Sequence, residues 1–167
     1  SLINKEYDGK KKSIGHTLHT IEKLLLEDKR YNYYWKVINS CDQGLPQNRE
    51  RIFIIGIKKE LDNGFTFPEN RDLDFTVNDV LEDNVPENYY YQNINNHPLN
   101  PTNQKQRKNR IHTTHKFDET MTYESTRRVY SPYVSPCITC NNSNKFMIDG
   151  RVRLLTPTEN KRIHGFR

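Results

Sequence analysis

Gln47, Arg49 and Arg51 stand at alternate positions just before an apolar run, Ile52-Phe53-Ile54-Ile55-Gly56-Ile57. In an extended chain successive side chains face opposite ways, so these three share one face and Asn48 and Glu50 share the other. A guanidinium is a fixed fork of donors that matches a carbonyl or phosphate oxygen, and a carboxamide offers both a donor and an acceptor. Three such groups leading into a buried strand suit a hydrogen-bonding pocket better than a loop would. A polar start to a strand, with Arg49 and Glu50 merely solvated, would use the same residue types.

A second constellation is His112-x-x-His115 with Cys137-x-x-Cys140, four side chains of zinc-ligand type. Zinc sites of this composition usually place the cysteine pair before the histidine pair. The order here is reversed, and no metal site is assigned. A third is basic: residues 101–116 hold Lys105, Arg107, Lys108, Arg110 and Lys116 and no acid. Such a stretch is a solvated loop or a set of phosphate contacts, and the second would make binding salt-dependent. It follows an acidic segment, residues 60–88, in which Arg71 is the one base among nine acids. The net charge of +5 favours a polyanionic partner.

These residues need elements to position them. Ile14, Leu18, Ile21 and Leu25 fall on one helical stripe, which predicts a helix over residues 14–30. Tyr31–Ser40 is aromatic and β-branched and reads as a strand, Cys41–Asn48 contains Gly44 and Pro46 and reads as a turn, and Arg51–Ile57 reads as a strand buried on both faces. The two strands are expected to pair antiparallel through Gly44-Leu45-Pro46, at the end of an α/β sheet. Residues 76–83 could form a short helix, and residues 89–130 show no clear periodicity. Thr156, Pro157 and Glu159 fit the N-cap, N1 and N3 positions of a capping box.

At 167 residues the chain suits one domain, or one domain and part of another, and only 33% of it is apolar. No run approaches the roughly 20 apolar residues of a membrane-spanning helix, and no secretory signal is visible. Three cysteines, an odd number, point to reduced thiols in a cytosolic setting. The chain begins at Ser1 and not at Met, consistent with an internal piece of a longer protein.

Pro46-Gln47-Asn48-Arg49-Glu50-Arg51 with its apolar continuation resembles motif VIII of the DNA (cytosine-5) methyltransferases, whose core is Gln-x-Arg-x-Arg. Arg153-Leu154-Leu155-Thr156-Pro157-Thr158-Glu159, followed by Arg162 and Gly165-Phe166, is similar to motif IX of that family. The two occur in family order, separated by a variable region where the family keeps its target-recognition domain. Ser135-Pro136-Cys137-Ile138-Thr139 resembles the piece that closes that region, with Cys137 where threonine is usual. Ser1–Asn4 and Gly9 resemble the stretch after motif VI. The sequence lacks Phe-x-Gly-x-Gly, Pro-Cys-Gln, which carries the nucleophile, Glu-Asn-Val and the C-terminal Gly-Asn-Ser.

The resemblance implies an α/β fold: the end of a Rossmann-like S-adenosylmethionine-dependent methyltransferase sheet plus a small, irregular, mostly β target-recognition domain. It places the end of the catalytic domain at 1–60, an acidic connector at 61–88 and the recognition domain with motif IX at 89–167. The family transfers a methyl group to C5 of a cytosine flipped out of duplex DNA. Arg51 would then contact cytosine O2, with Gln47 and Arg49 supporting the pocket. Lys105, Arg107, Lys108, Arg110, Ile138 and Thr139 would face DNA. Arg153, Thr156, Glu159, Arg162, Gly165 and Phe166 would be structural. S-adenosylmethionine would be bound by the missing N-terminal part, either in the same enzyme or as a separate catalytic subunit, and this chain alone would be inactive. The implied partner is double-stranded DNA, with no membrane, in the cytoplasm of a bacterium with a restriction–modification system. The competing class is a non-enzymatic DNA-binding module, with zinc as its possible staple.

Overall fold

The computed structural model describes residues 3–4, 13–14, 16–92, 98–117, 124–139 and 144–166. The chain forms two compact units, one of residues Ser1–Val37 and Ile52–Pro68, the other of Ile38–Arg51 and Glu69–Arg167. Ser1, Leu2, Gly9, Cys140 and Arg167 lie outside the described residues.

In the first unit β1 (Ile3–Asn4) pairs antiparallel with β2 (Ser13–Ile14), and α1 (His16–Glu27) follows. The helix is shorter than the apolar stripe predicted. Asp28 accepts from the Arg30 backbone N–H at 3.0 Å, a local side-chain bond that competes with another helical turn. Leu18 is buried, and Ile21, Leu25, Tyr33, Trp35 and Ile54 line a shallow groove beside it. Trp35 Nε1 donates to Glu22 at 2.9 Å, tying the strand to the helix.

β3 (Tyr31–Asn39) and β5 (Glu50–Lys58) form a two-stranded sheet. Backbone bonds Ser40 N–H to Arg49 O and Lys59 N–H to Arg30 O, at opposite ends, make it antiparallel. A Cβ on Gly56 would come within 2.8 Å of the Tyr33 ring, so only glycine lets that ring lie across the partner strand. The apolar run is not buried on both faces as its composition predicts: Phe53 is 48% exposed and Ile54 39%. Adjacent strand residues face opposite sides, so both faces reach solvent. Among the described residues no third strand joins this pair, and α1 lies against only part of it.

The second unit is built on a five-stranded sheet ordered β11-β10-β8-β7-β6. Its strands are β6 (Leu99–Pro101), β7 (Thr113–Phe117), β8 (Arg128–Tyr130), β10 (Lys145–Ile148) and β11 (Arg151–Leu154). β10 runs parallel to β8 and the other neighbours are antiparallel. Three of these strands lie in the region without periodicity, because runs of three to five residues are too short to alternate visibly. The short α2 (Glu124–Arg127) precedes β8. Val77, Tyr130, Phe146, Ile148, Leu155 and Ile163 form one core cluster, and Phe117, Val129 and Val152 a second. Only Asn78–Val80 of the 76–83 segment is helical, as a single 3-10 turn, since the Thr76 N–H and hydroxyl both donate to Asp79. A further pair, β4 (Gln47–Asn48) with β9 (Ser135–Pro136), is parallel. The last helix, α3 (Pro157–Ile163), buries Glu159 and Ile163.

Candidate functional site

The turn between β3 and β4 is built around Asn39. Its Oδ1 accepts from the backbone N–H of Cys41 at 3.3 Å and of Arg49 at 3.0 Å, and its Nδ2 donates to Asn48 Oδ1 at 2.8 Å. Two asparagines thereby pin both ends of the loop. The sequence pattern does not single out their part in the site, although an asparagine side chain that accepts from the backbone N–H two residues on is a common turn device. Gly44 has φ +93, and a Cβ there would meet Arg71 and Asp74 at 2.6 Å.

Gln47, Arg49 and Arg51 do not form one continuous extended face. The Arg49 N–H bonds back to Gln47 O at 3.1 Å, which bends the chain between β4 and β5. The three side chains therefore have different surroundings. Gln47 is 2% exposed, Arg49 is half-buried and Arg51 is exposed. Gln47 pairs with Ser135 in the parallel register, and Ser135 N–H donates to Pro46 O at 2.8 Å. Gln47 Nε2 lies 3.1 Å from His164 Nε2. Arg49 Nη1 reaches Cys137 Sγ at 3.9 Å. Arg51 Nη1 donates to its neighbour's carbonyl, Glu50 O, at 2.7 Å, and among the described residues no other group takes up its guanidinium. The motif VIII start, the Ser135-Pro136-Cys137 piece and the end of α3 thus converge, from positions up to 117 residues apart.

The motif IX residues hold that end of the helix. Arg153 and Glu159 form a bidentate pair, both contacts 2.7 Å, with side chains 2% and 0% exposed. Glu159 also accepts from the Thr156 N–H at 2.8 Å, while the Thr156 hydroxyl accepts from the Glu159 N–H at 3.1 Å, closing a capping box. Burial pushes the Glu159 carboxyl up, but the Arg153 guanidinium and the Glu82 and Thr156 amides outweigh it and hold the group below its ordinary value. Arg162 donates to Val80 O at 3.2 Å. Gly165 has φ +84 and ends the helix beside Leu45. Phe166 is 63% exposed. Ile138 packs on the first core cluster, and Thr139 is exposed.

The basic stretch is divided. Lys108 pairs with Asp72 at 2.8 Å, and Arg110 grips Asp42 with contacts of 2.7 and 3.3 Å while touching Cys41 Sγ at 3.7 Å. Lys105 and Arg107 are exposed. His112 Nε2 meets Gln104 O at 2.7 Å. Among the described residues no three His, Cys, Asp or Glu side chains gather as a metal site.

This mixed α/β chain carries two stretches, at 46–57 and 153–166, that resemble C5-cytosine methyltransferase motifs and stand in that family's order. A family model described as C-5 cytosine-specific DNA methylase matches residues 9–167, and the chain belongs to that family. Type II methyltransferase M2.ScrFI of Lactococcus lactis subsp. cremoris is 46% identical over 70 residues, 42% of this chain and 19% of that protein. Type II methyltransferase M.HpaII of Haemophilus parainfluenzae is 42% identical over 79 residues, 46% of this chain and 22% of that protein. The matched stretch therefore spans about a fifth of these relatives. The solved structure of the Entamoeba histolytica methyltransferase EhMeth superposes with TM-score 0.57 at 15% identity, covering 92% of this chain and 47% of that one, a likeness of fold. The family uses S-adenosylmethionine and methylates DNA, and the relatives are of restriction–modification type.

Proposed function

We propose that this chain is the base-pocket and DNA-reading portion of a bacterial DNA cytosine-5 methyltransferase of a restriction–modification system. Residues 1–60 belong to the end of its catalytic domain, 61–88 connect, and 89–167 form the target-recognition domain with motif IX. The observation that carries the reading is the convergence on Gln47 of Ser135 from the recognition region and His164 from motif IX. Three segments that resemble one family's motifs meet at one place, as a shared pocket requires.

In this reading Arg51, with donors left open, holds O2 of the flipped cytosine, and Gln47 and Arg49 shape the pocket wall behind it. The glycine turn and the nucleophile thiol are supplied by an N-terminal portion, in cis or as a separate subunit. No residue of this chain is assigned to S-adenosylmethionine. Cys41 is no substitute nucleophile: it is buried, and desolvation and the neighbouring Asp42 push its thiol up, away from the reactive thiolate. The exposed Leu24, Leu26, Phe53 and Ile54 of the first unit, with unpaired strand edges among the described residues, support an N-terminal portion that covers them.

The test is Arg51→Ala in the assembled enzyme, made from this chain and a portion carrying Pro-Cys-Gln and Glu-Asn-Val. Loss of a charged hydrogen bond in a desolvated pocket is worth ~2–4 kcal/mol, so methyl transfer should fall by ~30- to 1000-fold with duplex binding nearly unchanged. Full activity in a folded Arg51→Ala enzyme refutes the pocket assignment, and methyl transfer by this chain alone refutes the division of labour.

A further inference from the structure

We infer that His164, at the C-terminal end of α3, is a positioning residue that sets which atom of the Gln47 carboxamide is left free. The inference rests on the pocket role proposed for Gln47. His164 Nδ1 lies 2.7 Å from Asn160 O. A carbonyl oxygen only accepts, so Nδ1 donates and carries the proton. With the one ring proton on Nδ1, the tautomer inferred here, Nε2 presents a lone pair and the Gln47 atom 3.1 Å away donates to it; a second ring proton at Nε2 would reverse that polarity. That atom is Nε2 of the carboxamide, and Oε1 is left over.

Gln47 has little other freedom. Its N–H bonds to Leu45 O at 2.8 Å, its carbonyl accepts from Arg49 N–H at 3.1 Å, and its register is set against Ser135. With the residue only 2% exposed, the remaining motion is a half-turn of the amide plane. That turn would aim Oε1 at the imidazole lone pair, oxygen against nitrogen with no proton between. Among the described residues no group donates to Gln47 Oε1. One ring of motif IX therefore fixes motif VIII in the polarity of an acceptor.

Two measurements test this. In the 167-residue chain, nitrogen NMR of the His164 ring should show a protonated Nδ1 and a bare Nε2. Gln47→Glu replaces the donor by a carboxylate and should turn the ring into an imidazolium at neutral pH. A proton on Nε2 in the parent, or a ring unaltered by Gln47→Glu, overturns the inference. In the assembled enzyme, His164→Leu should lower kcat about tenfold, the kinetic equivalent of one hydrogen bond, with KM for DNA unchanged. His164→Gln, which again offers an acceptor, should recover to within about twofold of the parent. Equal losses in the Leu and Gln variants overturn the positioning role. An assembled parent enzyme that transfers no methyl group refutes the proposed function instead, and the ring tautomer still decides the role of His164.

Discussion

Glu159→Gln separates charge from shape at the helix that ends beside the site. The carboxylate accepts four hydrogen bonds: two from Arg153 at 2.7 Å, one from the Thr156 N–H at 2.8 Å and one from the Glu82 N–H at 2.9 Å. Glutamine has the same shape and keeps one acceptor oxygen, so part of the cap survives. Its amide NH2, however, faces a guanidinium that is 2% exposed and has lost its counter-charge. Removing one partner of a buried pair costs about 3–5 kcal/mol, because the other is left charged and desolvated. At about 2–4 °C per kcal/mol for a chain of this size, Tm should fall by about 6–20 °C. Thermal unfolding followed by circular dichroism reads this directly at pH 7. The pH dependence adds a second check. Since Glu159 is held below its ordinary value of 4.5 in the folded chain, its contribution is complete above that pH and is lost as the pH falls through the lowered folded value. The gap between parent and variant should therefore be full at pH 7 and narrow in acid. A gap under about 2 °C at pH 7, or one that is constant down through the acid range, refutes the claim that this ion pair holds the helix.

Two other outcomes follow from the same structure. Neutralising Lys105 and Arg107 in the assembled enzyme should lower the slope of log K against log salt by up to about 2, at about 0.9 per phosphate contact. Neutralising Lys108 and Arg110 should change it much less, because Asp72 and Asp42 already hold those charges; an equal effect, read by DNA titration across salt concentrations, would refute that ranking. Gly44→Ala should destabilise by about 1–3 kcal/mol, seen as a lower urea midpoint, since φ +93 is strained for alanine and its methyl would meet Arg71 and Asp74 at 2.6 Å. Gly64→Ala, at φ +87 with open space around it, is the control and should lose less.

Much of the local structure is legible in the residues themselves. The α3 start follows from Thr156, Pro157 and Glu159, whose capping bonds close over three residues. The hairpin of β3 and β5 follows from two β-branched and aromatic runs around a Gly-Leu-Pro turn. What the local pattern overstated is burial: an isoleucine run reads as buried because it is apolar, yet burial depends on layers that are not part of this chain's described sheet. Residues 89–130 are less legible, since their strands of three to five residues draw stability from cross-strand partners and not from their own periodicity.

The charge segments show the same division. In sequence an acidic run and a basic run stand apart, and the basic one reads as open phosphate contacts. In the fold Asp72 and Asp42 take up Lys108 and Arg110, which leaves Lys105 and Arg107 as the exposed pair. By itself the sequence determined the family motifs, their order, the helix cap and the hairpin, because each rests on residues within a few positions of one another. Only the tertiary structure decided that Gln47 lies against Ser135 and His164, and that Arg153 is buried on Glu159. Contacts across 88 and 117 residues leave no periodic trace along the chain. They arise when the apolar clusters of the second unit pack and bring the segments beside them together.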